Sequence, residues 1–507
     1  ALGDSAASYD QLIDAVIPLE QAQSLLRDGE VVAIIQLGEE KGLVAVMTNG
    51  SFDAYDIVLN NQSAEEAVRA LRAPIDGEFL IKVDLEESYG MFDTLFGPVK
   101  NRVRDAEHLV IVPSGPLLSL PFNILTVEEY EDEIEIVDQA YFDYSKVKWL
   151  GAQTGITTGV SISSFFLGRR VDTGSRGSKP FLGFGDFKEF GSNTEVVDRI
   201  LSQRELPESC GSDVQQLGVL GELAGTRDEL VKVQSVLGVE DDDVVLGDKF
   251  TDSYVKSAEL DDYRVLHFAT HGVLGISPDC LPEPGLITSI ADDGDSLLEA
   301  SEIVNLNLDA DLVVMSACDT GAGAGQAAES QIGFRGVGGS YAAGGESLNG
   351  LARGFFFAGA RNVLSTHWSV DDIATQTLMV SFYEQVAKDA DVSIADAMRK
   401  SQTALVDGAE LSHPFFWAPF AIIGDGARTL TFDQQAEAAE EEGAEEGDVP
   451  AADAEQAPAG DGDVAPAADA EQAPDGAAPE APAADAEQAP AAEDGESATA
   501  PATEDAG

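Results

Sequence analysis

Apolar positions along the chain fall into two periods. From Glu30 onward, EVVAIIQL, GLVAVMT and SFDAYDIV are short apolar or alternating runs, with the turn pair Asn49-Gly50 before the third. That pattern predicts a small antiparallel meander. Helical spacing follows in AEEAVRALRAPI and MFDTLFGPVKNRVRDA, and HLVIVPSGPLLSLPFNIL reads as a buried strand running into a Pro/Gly turn. The stretch Ser145 to Arg169 contains ITTGVSISSFFLG, which reads as a helix with its connection.

The alternation then becomes regular. Strand PFLGFGDF precedes helix TRDELVKVQSVLG, whose Thr226 and Glu229 have the spacing of a capping box. Strand DVVLG, helix TDSYVKSAEL and strand RVLHFAT come next, then strand DLVVMSA and a long glycine-rich loop. Helix SLNGLARGFFFAGA, strand RNVLST, two amphipathic helices and strand WAPFAIIG complete the series. Strands separated by single helices imply right-handed crossovers and a parallel sheet in three layers, α/β/α. The predicted organisation is an N-terminal α/β region over 1–150, a main α/β domain over 151–430 and a tail over 431–507.

Composition sharpens the picture at the carboxyl end. There are 92 acidic and 29 basic residues, a formal charge of −63, and about a third of the excess lies in the tail. After Phe432 the tail has no aromatic and no basic residue, and AADAEQAP recurs at Ala451, Ala467 and Ala483. Such a segment buries too little to form a core and reads as an extended, disordered spacer. A chain this acidic is repelled by nucleic acid and by anionic membranes, and no apolar run of membrane-spanning length is present. The reading is a cytoplasmic protein, and Ala1 in place of methionine suggests a processed or excised piece.

Two strand ends carry the chemistry. VLHFATHG, Val265 to Gly272, and LVVMSACDTG, Leu312 to Gly321, are apolar runs that lead directly into a reactive side chain and a glycine. Ligands of open parallel sheets bind at the carboxyl ends of the strands, so neighbouring strands would put His271 and Cys318 on one cleft. A thiol with a pKa of about 8.5 is only slightly ionised at neutral pH, and an imidazole is its natural activator. Cys210 and Cys280 lack metal or redox spacing and are expected to be inert buried thiols, a disulfide being disfavoured. His267 is expected to be structural. With the histidines scattered and no H-E-x-x-H, neither a metal nor a cofactor is expected.

Several blocks together resemble one family. LHFATHG, LLEASEIVNLNLDADLVVMSACDTG, GESLNGLARGFFFAGARNVLSTHWSVDD and HPFFWAPFAIIGDG are similar, in that order, to CHAT-domain proteins, caspase-like peptidases of the clan of caspases, separase and gingipains. The similarity runs from about Glu30 to Gly426. It implies a caspase-like fold and a cysteine endopeptidase acting on protein or peptide substrates, with a regulatory protein partner. Carried over, His271 is the base, Cys318 the nucleophile, and the backbone N–H groups of Gly272 and Cys318 form the oxyanion hole. The alternative is a latent CHAT-like scaffold for protein interaction; a third reading, less favoured, is a hydrolase or acyl transferase acting on small amides. Family members often carry TPR repeats, and no repeat of that period appears in this chain.

The segment WSVDD, with Trp368, Asp371 and Asp372, resembles the wall of the specificity pocket in related enzymes and would favour a basic residue before the cut bond. Helix capping by aspartate is the competing reading. His367 stands where the family often has an apolar residue, so a second histidine near the cleft is a further expectation. The loop Gly321 to Gly345 has no P-loop ending, and its one basic residue, Arg335, is a candidate self-cleavage point.

Overall fold

The computed structural model describes residues 17–432 apart from 77–79, 138–140, 172–173, 190–193, 218–219, 274–279, 292–295, 319–350, 369–370 and 431. Among the described residues one sheet of thirteen strands runs through the chain. In chain order these are β1 Glu30–Leu37, β2 Gly42–Met47, β3 Phe52–Ile57, β4 His108–Val112, β5 Gly155–Thr158, β6 Lys179–Gly185 and β7 Val244–Leu246, then β8 Tyr263–Val273, β9 Gly285–Ile287, β10 Leu297–Glu299, β11 Leu312–Cys318, β12 Asn362–Thr366 and β13 Phe420–Gly424. Their order across the sheet is β10-β9-β8-β11-β12-β13-β5-β4-β1-β2-β3, with β6 paired to β8 and β7 to β6.

The expected meander is present as β1, β2 and β3, paired antiparallel. The sheet is mostly parallel, yet it is built as two blocks. β6, β8, β11 and β12 run one way. β13 is antiparallel to β12, and β5, β4 and β1 follow β13 in parallel. The reversal has a simple cause. Between β12 and β13 the chain makes two long helices, α9 (Asp372–Lys388) and α10 (Ile394–Asp407), and the single turn Pro414–Trp417, where one long helix would return it for a parallel crossover. The second helix carries it back to the edge it left.

Both faces are covered. Val265, Ala269, Leu312 and Val314 pack with Leu230, Leu378 and Phe382 on one side. Leu266, Phe268, Val313 and Met315 pack with Val255, Leu351 and Phe355 on the other. Burial of both faces explains why β8 and β11 read as unbroken apolar runs. Gly183 and Gly185 in β6 permit close helix packing, since a Cβ there would lie 2.9 and 2.7 Å from the Leu230 side chain. Leu230 belongs to α6, Ala224–Leu237.

Three expectations are corrected. Ile156, Thr157 and Thr158 form β5, between β13 and β4, and only Ile162–Val171 is helical, as α3. A strand of four residues, Gly155–Thr158, is too short to show a period, but the β-branched Ile156, Thr157 and Thr158 favour it. The capping box does not form: α6 starts at Ala224, Thr226 Oγ1 accepts from Asp186 N–H at 3.0 Å, and Glu229 is buried in a side-chain pair. Cys210 and Cys280 are joined in a disulfide, with Cα atoms 5.5 Å apart across 70 residues of sequence. No local spacing rule reaches that far; the fold brings them together.

Within the second block, Arg169 of α3 fastens the start of β1 to the end of β13 at depth. Its guanidinium donates to Glu30 of β1 at 2.6 Å and to Asp425, just past β13, at 2.6 Å. His108 Nδ1 lies 3.0 Å from Glu30. Burial would raise the Glu30 pKa, but Arg169 and His108 outweigh it and hold the carboxyl well below the usual range. Removing one partner of a buried pair leaves the other uncompensated, at a cost of about 3–5 kcal/mol. Arg169→Met is therefore expected to lower unfolding stability by about that amount, measured by urea titration, whereas Lys41→Met, in an exposed pair with Asp56, should change it by less than about 1 kcal/mol.

Candidate active site

β8 and β11 are adjacent and parallel, with Val265 opposite Leu312 and so on in step to His271 opposite Cys318. The two residues therefore stand side by side where these strands end, their Cα atoms about one strand spacing apart, roughly 5 Å. Gly272 and Val273 continue β8 by pairing antiparallel with β9, Gly272 opposite Leu286.

The imidazole of His271 is oriented by contacts that no motif records. Its Nε2 lies 2.9 Å from the carbonyl oxygen of Gly221. A carbonyl only accepts, so Nε2 carries the proton and Nδ1 is left as the basic nitrogen. The ring of Phe187, just past β6, meets the imidazole edge-on with centroids 5.4 Å apart. Burial pulls the His271 pKa below its ordinary value, while the Gly221 hydrogen bond and the charge of Asp372 act the other way. Asp372 opens α9, and its own pKa is raised by burial, then by Asp371 and Glu229.

Four residues deeper along β8, His267 is fully buried. Its Nε2 lies 3.0 Å from Glu229 Oε1, and Tyr383 Oη lies 3.2 Å from Nδ1. The structural expectation for His267 matches this burial, but the partner Glu229 was hidden by its resemblance to a capping residue.

A family model described as the CHAT domain matches residues 88–425. The chain belongs to the CHAT-domain family. Human tetratricopeptide repeat protein 28 is 25% identical over 270 residues, 47% of this chain and 10% of that protein. The chain thus spans about a tenth of the length of the curated relative it matches. Among solved structures, the separase–securin complex of Saccharomyces cerevisiae is similar at 10% identity over 83% of this chain and 31% of that one, with a TM-score of 0.44. The complex of pro- and mature domains of RgpB from Porphyromonas gingivalis is similar at 8% identity over 73% of this chain and 78% of that one, with a TM-score of 0.35.

The remaining residues singled out in the CHAT domain separate cleanly. Trp368 offers no wall to a ligand: it is 2% exposed, its indole N–H donates to Phe415 O at 3.1 Å, and Arg72 lies over its ring. Asp371 caps α9, accepting from the N–H groups of Ile373 and Ala374. Among the described residues of this segment, Asp372 interacts with His271. His367 is buried away from solvent, its pKa pushed down to about 3 by burial and by Arg72. Arg72 Nη2 donates to the His367 carbonyl at 2.9 Å, so the residue serves as a backbone anchor. Arg335, the loop 321–345 and Asp319 lie outside the described residues. No helix among the described residues is long and apolar enough to cross a membrane.

The buried histidines set a pH dependence. His367 is held at about 3 and His413 at about 4, both chiefly by burial. Unfolded, each titrates near 6.5, so between that value and the folded one the unfolded chain binds protons that the native state refuses. Stability is complete above pH 6.5 and falls as pH drops through this window, by about 2 kcal/mol per histidine at pH 5. Chemical-denaturant titrations at pH 7.5 and 5.0 check this, and His367→Gln should flatten the slope if the variant folds.

Proposed function

We propose that this CHAT domain is a cysteine endopeptidase in which His271 and Cys318 form the catalytic dyad. The observation that carries the reading is the strand register that sets the two residues side by side, together with the Gly221 hydrogen bond that leaves His271 Nδ1 basic. His271 takes the thiol proton, and the Cys318 thiolate attacks the peptide carbonyl. The backbone N–H groups of Gly272 and Cys318 hold the oxyanion, a contribution of roughly 3–4 kcal/mol for a well-aimed donor. His271 then returns the proton to the leaving amine, and a water deprotonated by the same imidazole hydrolyses the thioester.

The charge that Asp372 places near His271 supports a preference for a basic residue before the cut bond. The acidic surface of the chain adds to that preference. Protein substrates, a regulatory protein partner and processing at Arg335 belong to the same proposal. A second reading, a docking module without proteolysis, is favoured by the similarity to a human protein named for its tetratricopeptide repeats.

Cleavage-site profiling by mass spectrometry separates the two. Wild-type protein is expected to cut a protein mixture after basic residues, and Cys318→Ala and His271→Ala to lose at least about a thousandfold in rate while keeping the native circular dichroism spectrum. Equal behaviour of wild type and Cys318→Ala would leave the docking module standing. For the loop, active protein is expected to be cut at Arg335, and Arg335→Ala to stay intact and lose activity; full activity of an intact Arg335→Ala chain would remove that element.

A further inference from the structure

The disulfide and the catalytic histidine belong to one closed circuit. From His271 the chain continues into Gly272 and Val273, held by β9, and the segment that precedes β9 contains Cys280. The disulfide crosses from Cys280 to Cys210. Cys210 leads into helix α5, Gly211–Leu217, which is pinned by Val214 and Leu217 in the same apolar cluster as Cys280, Leu281 and Leu286. Leu220 N–H bonds back to Leu217 O, and the next residue is Gly221, whose carbonyl accepts from His271. The ring therefore closes through one covalent bridge and one hydrogen bond.

The hydrogen bond is the weak member of that ring. Gly221 sits where an added Cβ would meet nothing within 4 Å, so no side chain presses on its α-carbon. Its neighbours are held by Leu220 packing against the apolar cluster and by Glu222 pairing with Lys188 at 3.2 Å, and the helix before it is tied by the disulfide to the far side of His271.

We propose that the Cys210–Cys280 disulfide is a positioning element for His271: it holds the Gly221 carbonyl against Nε2, and its reduction releases the imidazole without dismantling the fold. The reduction is a two-electron exchange in which a small dithiol becomes its cyclic disulfide and Cys210 and Cys280 each gain a proton and an electron. Cys280 is 9% exposed and Cys210 fully buried, so attack begins at the Cys280 sulfur. The inference rests on the dyad proposed for the peptidase.

The test needs no known substrate. Of the three cysteines in the chain, Cys318 is the one outside the disulfide, so its alkylation by iodoacetamide, followed by peptide mapping against pH, reports its thiolate fraction. Oxidised protein is compared with protein reduced by dithiothreitol and desalted without oxygen, and with the Cys210→Ala/Cys280→Ala variant. The expected result is a slower Cys318 reaction at pH 6.5, by roughly fivefold, about the factor one hydrogen bond supplies. The apparent thiol pKa should move up, circular dichroism should stay native, and reoxidation should restore the rate. An unchanged rate and pKa in folded, reduced protein overturns the proposal, as does global unfolding on reduction, which would make the bridge a general fastener. His271→Ala in oxidised protein separates the two levels. If it leaves Cys318 reactivity untouched, the dyad reading fails; if it lowers reactivity and reduction does not, the positioning role alone fails.

Discussion

The parallel, in-step pairing of β8 with β11 is the constraint on which the rest of this structure depends. Parallel strands cannot be joined by a tight turn, so their alignment is set by what covers them. Here each strand is buried on both faces, Leu266 and Phe268 against one helical layer and Val265 and Ala269 against the other. A slip of one residue would invert both layers at once. The position of His271 beside Cys318 is thus a property of the core, secured by side chains well below the cleft.

The parts of this arrangement that a sequence can reveal are those written in contiguous residues. The apolar runs of β8 and β11, the reactive residue at the end of each and the glycines after them are local, and the ordered blocks around them point to the CHAT family. The acceptor for His271 is different in kind: a backbone carbonyl at Gly221, 50 residues away, carries no side-chain signature. The same holds for the 70-residue span of the disulfide. Glu229 misled because its spacing from Thr226 fits a helix start, while its real partner, His267, lies on another element. Trp368 shows the converse, since an aromatic in a segment like a pocket wall is spent in the core.

Electrostatics divides between surface and interior. The surface excess of carboxylates governs solubility and encounter, but the joints inside are made by a few buried arginines with defined acceptors. Arg169 gathers Glu30 and Asp425. Arg72, from the helix Asn61–Asp76, reaches the carbonyls of Ser119 and His367. By holding His367, it fastens the chain only a few residues before Asp371 and Asp372, so an N-terminal helix helps to set where α9 begins. Disulfides persist mainly in oxidising compartments, and the Cys210–Cys280 bridge makes the redox state of the surroundings part of the protein's physical description.

The reversal at β12–β13 has a consequence for how the molecule can be divided. β13 and β5 are shared property, since each is flanked on both sides by strands distant in sequence. A fragment beginning at residue 151 would keep β5 and lose β4, stripping one side of an interior strand and opening a row of unpaired N–H and C=O groups. Such a row is a template for a second chain. The truncated piece would tend to borrow the missing strand from a neighbour or aggregate along that seam, and the strands β1 to β4 are in that sense the cap that keeps the sheet finite.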